Sequence, residues 1–145
     1  MREINGKIYN EKATHDMREL LEIITVLRSP EGCSWDREQT HESMKKCLVD
    51  ETQEVMQAID HKDDENLCEE LGDVLLQVLM HAEIAKEREA FTFEDVVQML
   101  SEKLIRRHPH VFGDAKRPET PEESLALWKE VKKKEKGGCE GPKQL

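Results

Sequence analysis

Four acidic residues at two matching spacings carry the strongest chemical signal in the chain: Glu51 with Glu54, and Glu70 with Asp73. Each pair is spaced i,i+3, which places both carboxylates on one helix face, about 4.5 Å apart along the axis. Because 51 plus 73 equals 54 plus 70, two antiparallel helices turning near residue 62 would set Glu51 opposite Asp73 and Glu54 opposite Glu70. His61-Lys62-Asp63-Asp64 suits such a turn. On a helical wheel Glu51 falls inside the apolar face of Met44, Cys47, Leu48, Val55, Ala58 and Ile59, with Glu54 at its edge.

On the next helix Leu67, Leu71, Val74, Val78 and Ala85 define an apolar face, and Glu70, Asp73, Gln77 and His81 form a polar ribbon beside it. Leu75, Leu76, Leu79 and Met80 cover much of the rest, so this helix is expected to be buried nearly all round. Two unit charges about 4 Å apart repel by roughly 4 kcal/mol at an effective dielectric near 20, and burial adds a desolvation penalty. Converging carboxylates therefore call for a cation. A set of oxygens without Cys or His at ligand spacing suits Mg²⁺ or Mn²⁺, with water and substrate phosphates completing the coordination. Most i,i+3 acid pairs only decorate a solvated helix; here the place in the stripe and the cross-hairpin register argue for a site.

The elements that must position these acids follow from composition and periodicity. At 145 residues one domain is expected, and 37% charged residues, 4% aromatics, 7 Gly and 5 Pro favour helices over a sheet-rich fold. A net charge of −10 argues against a nucleic-acid polymer or an anionic membrane as partner. Met1-Arg2-Glu3-Ile4-Asn5 lacks the apolar core of a signal peptide, and no run approaches the ~20 apolar residues of a membrane span, so a cytoplasmic location is expected. Cys33, Cys47, Cys68 and Cys139 are widely separated, which predicts reduced thiols, with Cys47 and Cys68 as small core residues.

Residues 1–13 show no periodicity and read as a flexible N-terminal arm. Thr14 can cap a first helix carrying Met17, Leu20, Leu21, Ile24 and Leu27, which Ser29-Pro30 stops. Glu31 to Asp36 reads as a loop holding Trp35, which serves either to stack on a ligand's base or to anchor the loop; the residues alone leave both open. A second helix is expected over 38–60 and a third over 67–88, capped by Asn66 with Glu69. His81 on a mainly apolar helix is more often a hydrogen-bonded core residue than a catalytic one. Thr92 with Asp95 opens a fourth helix, which ends at Pro109 after Lys103, Arg106 and Arg107 on one face. Cations in a last turn meet the helix dipole favourably, but three in so acidic a chain, followed by His108 and His110, fit a phosphate clamp better. Thr120-Pro121-Glu122-Glu123 starts a short helix through Leu125, Trp128 and Val131, and residues 132–145 read as a disordered basic tail.

Taken in order, these motifs resemble the MazG-like nucleoside triphosphate pyrophosphohydrolases of the all-α NTP pyrophosphatase superfamily, over residues 14–131. The resemblance rests on Leu27-Arg28, Gly32-Cys33-Ser34-Trp35-Asp36, Gln39-Thr40-His41, Asp50-Glu51-Thr52-Gln53-Glu54, Glu69-Glu70-Leu71-Gly72-Asp73, the run from Lys103 to Gly113, and Leu127-Trp128. The family pattern is E-E-x-x-E followed by E-x-x-D; here Asp50 stands first, Ser34 replaces a frequent Pro and Gln53 a frequent Tyr. The resemblance implies an all-α antiparallel bundle of four to five helices completed by homodimerisation, and Mg²⁺-dependent cleavage of nucleoside triphosphates to monophosphate and pyrophosphate. It implies Glu51, Glu54, Glu70 and Asp73 as metal ligands, with Mn²⁺ a substitute ion. By the same resemblance Lys103, Arg106 and Arg107 contact the phosphates, and Trp128 and Trp35 lie near the nucleotide. The general base falls to Glu51 or Asp50.

The expected activity is nucleotide-pool house-cleaning with a broad base range. Two competing readings remain: a narrower dNTP pyrophosphatase, against which His108-Pro109-His110 favours the MazG branch, and a non-catalytic nucleotide-binding helical regulator.

Overall fold

The computed structural model describes residues 1–138. Among the described residues five long helices and two short ones, with a single two-stranded ribbon, make the fold all-α as expected. The chain divides into two compact units, Met1–Phe93 and Glu94–Leu145.

The first unit opens on a hairpin of β1 (Glu3–Ile4) and β2 (Lys7–Ile8), with Glu3 opposite Ile8 and Ile4 opposite Lys7. The expected flexible arm thus contains a formed turn. Asn5 and Gly6 both hold positive φ, 50° and 77°, the geometry an Asn-Gly pair adopts in a tight hairpin. Lys7 Nζ bonds Glu22 at 2.7 Å, tying the ribbon to α1 (Met17–Leu27). Asp16, not Thr14, caps α1: its side chain accepts from the Glu19 N–H at 2.9 Å. After α1 the chain folds back so closely that a Cβ on Gly32 would meet the Val26 carbonyl oxygen at 2.1 Å, so only glycine fits there.

The expected loop after Gly32 is half helical, since Ser34–Glu38 forms α2, and the second long helix starts later than its periodicity suggested. That helix, α3, spans Lys45–Asp60. The delay has a local cause: Thr40 and Ser43 exchange side-chain bonds with each other's backbone N–H, at 3.0 and 2.9 Å, holding a turn before α3. At its far end Lys62 takes φ 55°, with Lys62 N–H on Ile59 O and Asp63 N–H on Ala58 O, the paired bonds of a left-handed helix stop. Asp63 then caps α4 (Asp64–Glu87) by accepting from the Asn66 N–H. The pivot near residue 62 is therefore where the acidic register required it.

Ile24, Met44, Leu79, Met80 and Ile84 form the core of this unit, with Leu20, Leu21, Leu27, Leu75 and Phe93 packed around them. The C-terminal half of α4 is buried, but Leu71, Leu76 and Val78 are exposed, so the helix is not enclosed all round within one chain. On α3, Leu48, Val49, Met56 and Ile59 are exposed as well. Cys33, Cys47 and Cys68 are free thiols; Cys68 is exposed, against the expectation of a core position, and Cys139 lies outside the described residues.

In the second unit α5 (Phe93–Arg107) stops before Pro109, which begins the short α6 (Pro109–Phe112). The last helix, α7 (Pro121–Gly138), starts where its Thr-Pro-Glu-Glu signal places it: Thr120 Oγ1 accepts from the Glu123 N–H. It runs seven residues past Val131, through the first half of the expected tail. Lys132, Lys133, Lys134, Glu135 and Lys136 are all good helix formers, and Glu135 has charged partners on α5. Residues 139–145 of the expected tail lie outside the described residues. Among the described residues no helix is long and apolar enough to cross a membrane.

Candidate metal centre

The antiparallel α3–α4 hairpin brings Glu51, Glu54, Glu70 and Asp73 together, with one carboxylate oxygen from each lying within 4.8 Å of the others. Crowding and burial raise the proton affinity of two of these groups, Glu51 and Glu70. Glu70, hydrogen-bonded with Glu54 and facing the charges of Glu54 and Asp73, is pushed up to about 7. Glu51 is also raised, first by desolvation and then by Glu54 and Asp73. One oxygen each of Glu51 and Glu70, Oε2 in both, is buried without a hydrogen-bond partner.

Unpartnered buried carboxylate oxygens are rare because they forfeit solvation. An oxygen-only donor set with two such atoms suits a hard divalent cation, which would satisfy both the charge and the orphaned oxygens. Among the described residues no Cys or His joins the cluster.

Asp50 lies outside this set. Its Oδ2 pairs with Lys46 Nζ at 2.8 Å, one turn earlier on α3, and its side chain is half exposed. Gln77, one turn beyond Asp73 on the polar ribbon, is 5% exposed, and its Oε1 has no partner. Farther along, His81 meets His41, a contact the sequence reading missed. Their rings stack 2° from parallel with Nδ1 atoms 2.7 Å apart. Burial, with the His41 ring beside it, lowers the pKa of His81, so the core-residue reading of His81 fits its surroundings. The signal was present, because the register that sets Glu51 opposite Asp73 continues to place His81 beside the segment leading into α3.

Trp35 is 58% exposed on α2. What fixes its segment is Arg28, whose side chain is 6% exposed. Arg28 Nη1 donates to the carbonyls of Asp36 and Gln39, at 2.6 and 3.0 Å, while its Nε and Nη2 grip the Glu87 carboxylate. One guanidinium thus ties the end of α1 to the α2 segment and to α4.

In the second unit Arg106 and Arg107 converge on Glu135, and Lys103 is exposed on the same helix. Arg107 lies 5.9 Å and Lys132 4.3 Å from the centre of the Trp128 ring. His108 donates through Nδ1 to the Leu104 carbonyl, and its ring lies 5.6 Å from that of His110, whose Nδ1 is buried without a partner. Lys132 and Glu135 went unrecognised in the sequence because that stretch read as tail.

Comparison with known proteins places this geometry in context. Residues 39–112 match the family described as the MazG nucleotide pyrophosphohydrolase domain. The chain is 59% identical over 119 residues to the nucleoside triphosphate pyrophosphohydrolase/pyrophosphatase MazG of Thermotoga maritima, covering 82% of this chain and 45% of that protein. It is 45% identical over 118 residues to the nucleoside triphosphate pyrophosphohydrolase of Escherichia coli K12, covering 81% of this chain and 44% of that protein. The chain therefore spans less than half the length of these two relatives. Among solved structures, the crystal structure of a mazG-related protein from Thermotoga maritima matches with a TM-score of 0.66 at 35% identity, covering 81% of this chain and 99% of the other.

Proposed function

The chain belongs to the MazG nucleotide pyrophosphohydrolase domain family, and from that premise we propose that it hydrolyses nucleoside triphosphates to nucleoside monophosphate and pyrophosphate with Mg²⁺, or Mn²⁺ in its place. The observation that carries this reading is the convergence of Glu51, Glu54, Glu70 and Asp73 within 4.8 Å, with two buried oxygens lacking partners. These four residues hold the divalent cation. Once bound, such an ion neutralises triphosphate charge and stabilises the departing pyrophosphate.

The protein's own groups do the rest. Glu51 accepts a proton from the water whose oxygen bonds the α-phosphorus, as the bond from that phosphorus to the bridging oxygen breaks. Asp50, paired with Lys46, is the less suited of the two candidate bases. Lys103, Arg106 and Arg107 contact the phosphates, and Trp128 and Trp35 present aromatic surface to the nucleotide. The base range is broad and the role is nucleotide-pool house-cleaning. This catalytic domain occupies residues 14–131, extended by the rest of α7.

The functional form is a homodimer. Leu48, Val49, Met56 and Ile59 on α3, with Leu71, Leu76 and Val78 on α4, leave more apolar surface exposed than an isolated hairpin tolerates well, and a second copy would cover it. The experiment that tests the function is a pyrophosphate-release screen across canonical and damaged ribo- and deoxyribonucleoside triphosphates with Mg²⁺ and Mn²⁺. Metal-dependent release from several bases is the expected result. No release from any of them would overturn the proposal.

A further inference from the structure

Two consecutive arginines on one helix would ordinarily diverge, since successive residues are turned by about 100°. On α5, Arg106 and Arg107 instead meet at one carboxylate. Glu135 Oε1 accepts from Arg106 Nε at 2.6 Å, and Oε2 accepts from Arg107 Nη2 at 3.2 Å and Nε at 3.4 Å. The Arg107 and Glu135 side chains are 18% and 23% exposed, so that half of the junction is more enclosed than an ordinary surface ion pair, whose contribution is small, while Arg106 is half exposed. Both arginines hold Glu135 ionised, Arg106 most strongly.

The edges used decide what the contact does. The Nε atom is the guanidinium nitrogen nearest the side-chain stem, so a carboxylate bonded there sits beside the stem and leaves the far end of the fork beyond it. Glu135 takes Arg106 by Nε and Arg107 by its Nε–Nη2 edge. Glu135 thus takes no N–H from Nη1 of either arginine or from Nη2 of Arg106, and these nitrogens are the ones left to meet another anion. Trp128, Lys132 and Glu135 are spaced 0, 4 and 7 along α7, which puts them on one helix face. Arg107 lies against Trp128 as well as Glu135, so two side chains of that face fix its plane.

We infer that Glu135 is a positioning residue for nucleotide binding, orienting Arg106 and Arg107 so that their distal N–H groups engage the substrate's phosphates while Glu135 itself touches no substrate. This rests on the reading that these arginines contact phosphate. It makes the segment beyond Val131 part of the substrate-binding machinery.

The test is full-chain Glu135→Gln, Glu135→Asp and an Arg106→Ala/Arg107→Ala double variant. Two quantities are measured: the kinetics of pyrophosphate release and the calorimetric affinity for ATP with a methylene bridge between its α- and β-phosphates. Glu135→Gln should raise KM and weaken analogue binding about fivefold or more, with kcat within about twofold of the parent, and Glu135→Asp should recover part of the loss. A merely structural role would lower the active fraction and kcat and leave KM and analogue affinity unchanged, overturning the inference. Tighter binding by Glu135→Gln would also overturn it, showing that Glu135 competes with phosphate. If the double arginine variant binds the analogue as well as the parent, the phosphate reading itself fails. If that variant binds weakly while Glu135→Gln binds normally, only the role of Glu135 is lost.

Discussion

Asp50 lies 2.8 Å from Lys46, whereas its neighbour Glu51 contributes an oxygen to a four-carboxylate cluster and has a buried oxygen, Oε2, without a hydrogen-bond partner. Adjacent acids on one helix thus have different chemistry available to them. Asp50→Asn should retain cation binding and lose less than about tenfold in turnover, because an exposed ion pair contributes little. Glu51→Gln should lose on the order of 10²-fold or more, the scale on which a general base or a ligand acts. Steady-state pyrophosphate release, with circular dichroism to confirm folding, compares the two.

Glu70→Gln separates metal binding from stability. The substitution removes a charge that faces Glu54 and Asp73 and keeps the side chain's volume. Without metal the variant should melt at or above the temperature of the parent, because repulsion within the cluster falls. Added Mg²⁺ should stabilise the parent and leave the variant's melting curve in place, since stabilisation by a ligand requires binding to the folded state. A variant that Mg²⁺ stabilises as strongly as the parent would remove Glu70 from the ligand set.

The same carboxyl predicts a pH dependence. Glu70 titrates near 7 in the folded protein, against about 4.3 in an unfolded chain, so between those values the folded state binds the extra proton. Its contribution to metal-free stability is therefore fully present below about pH 4.3 and is lost as the pH rises through about 7. A divalent cation replaces the missing proton's charge. The Mg²⁺-induced rise in melting temperature should accordingly be larger at pH 8 than at pH 5.5, as measured by thermal melts of metal-stripped and metal-loaded protein.

Arg28 is the main tie between the Trp35 segment and the helices around it. Arg28→Ala removes two bonds to the carbonyls of Asp36 and Gln39 from a side chain that is 6% exposed. Charge-assisted bonds of this kind contribute about 1.5–3 kcal/mol, so a loss of about 2 kcal/mol in a denaturant titration is expected. Greater quenching of Trp35 fluorescence by acrylamide, measured in a Trp128→Phe background, should accompany it.

The acidic hairpin was legible because its information is local: two i,i+3 pairs, one turn and an apolar stripe suffice to bring four carboxylates together. Asn66 read as a helix cap for a similar reason, though Asp63 takes the role, since several neighbouring polar residues compete for the same N–H groups. The Asn5-Gly6 hairpin was equally local and was missed for want of flanking periodicity. His41 with His81 follows from extending the hairpin register past the start of α3, a step the periodicity of the helices does not itself prompt, whereas Arg28 with Glu87 joins residues 59 positions apart that no register relates. Glu135 was hidden differently: a lysine-rich run resembles a solvated tail until the arginines that hold it are in place.

The central claim is that water attacks the α-phosphorus of a nucleoside triphosphate. Hydrolysis in ¹⁸O-labelled water, with mass spectrometry of both products, tests it most directly. The account predicts one ¹⁸O atom in the nucleoside monophosphate and none in the pyrophosphate. Label in the pyrophosphate, or release of orthophosphate with formation of the diphosphate, would contradict it.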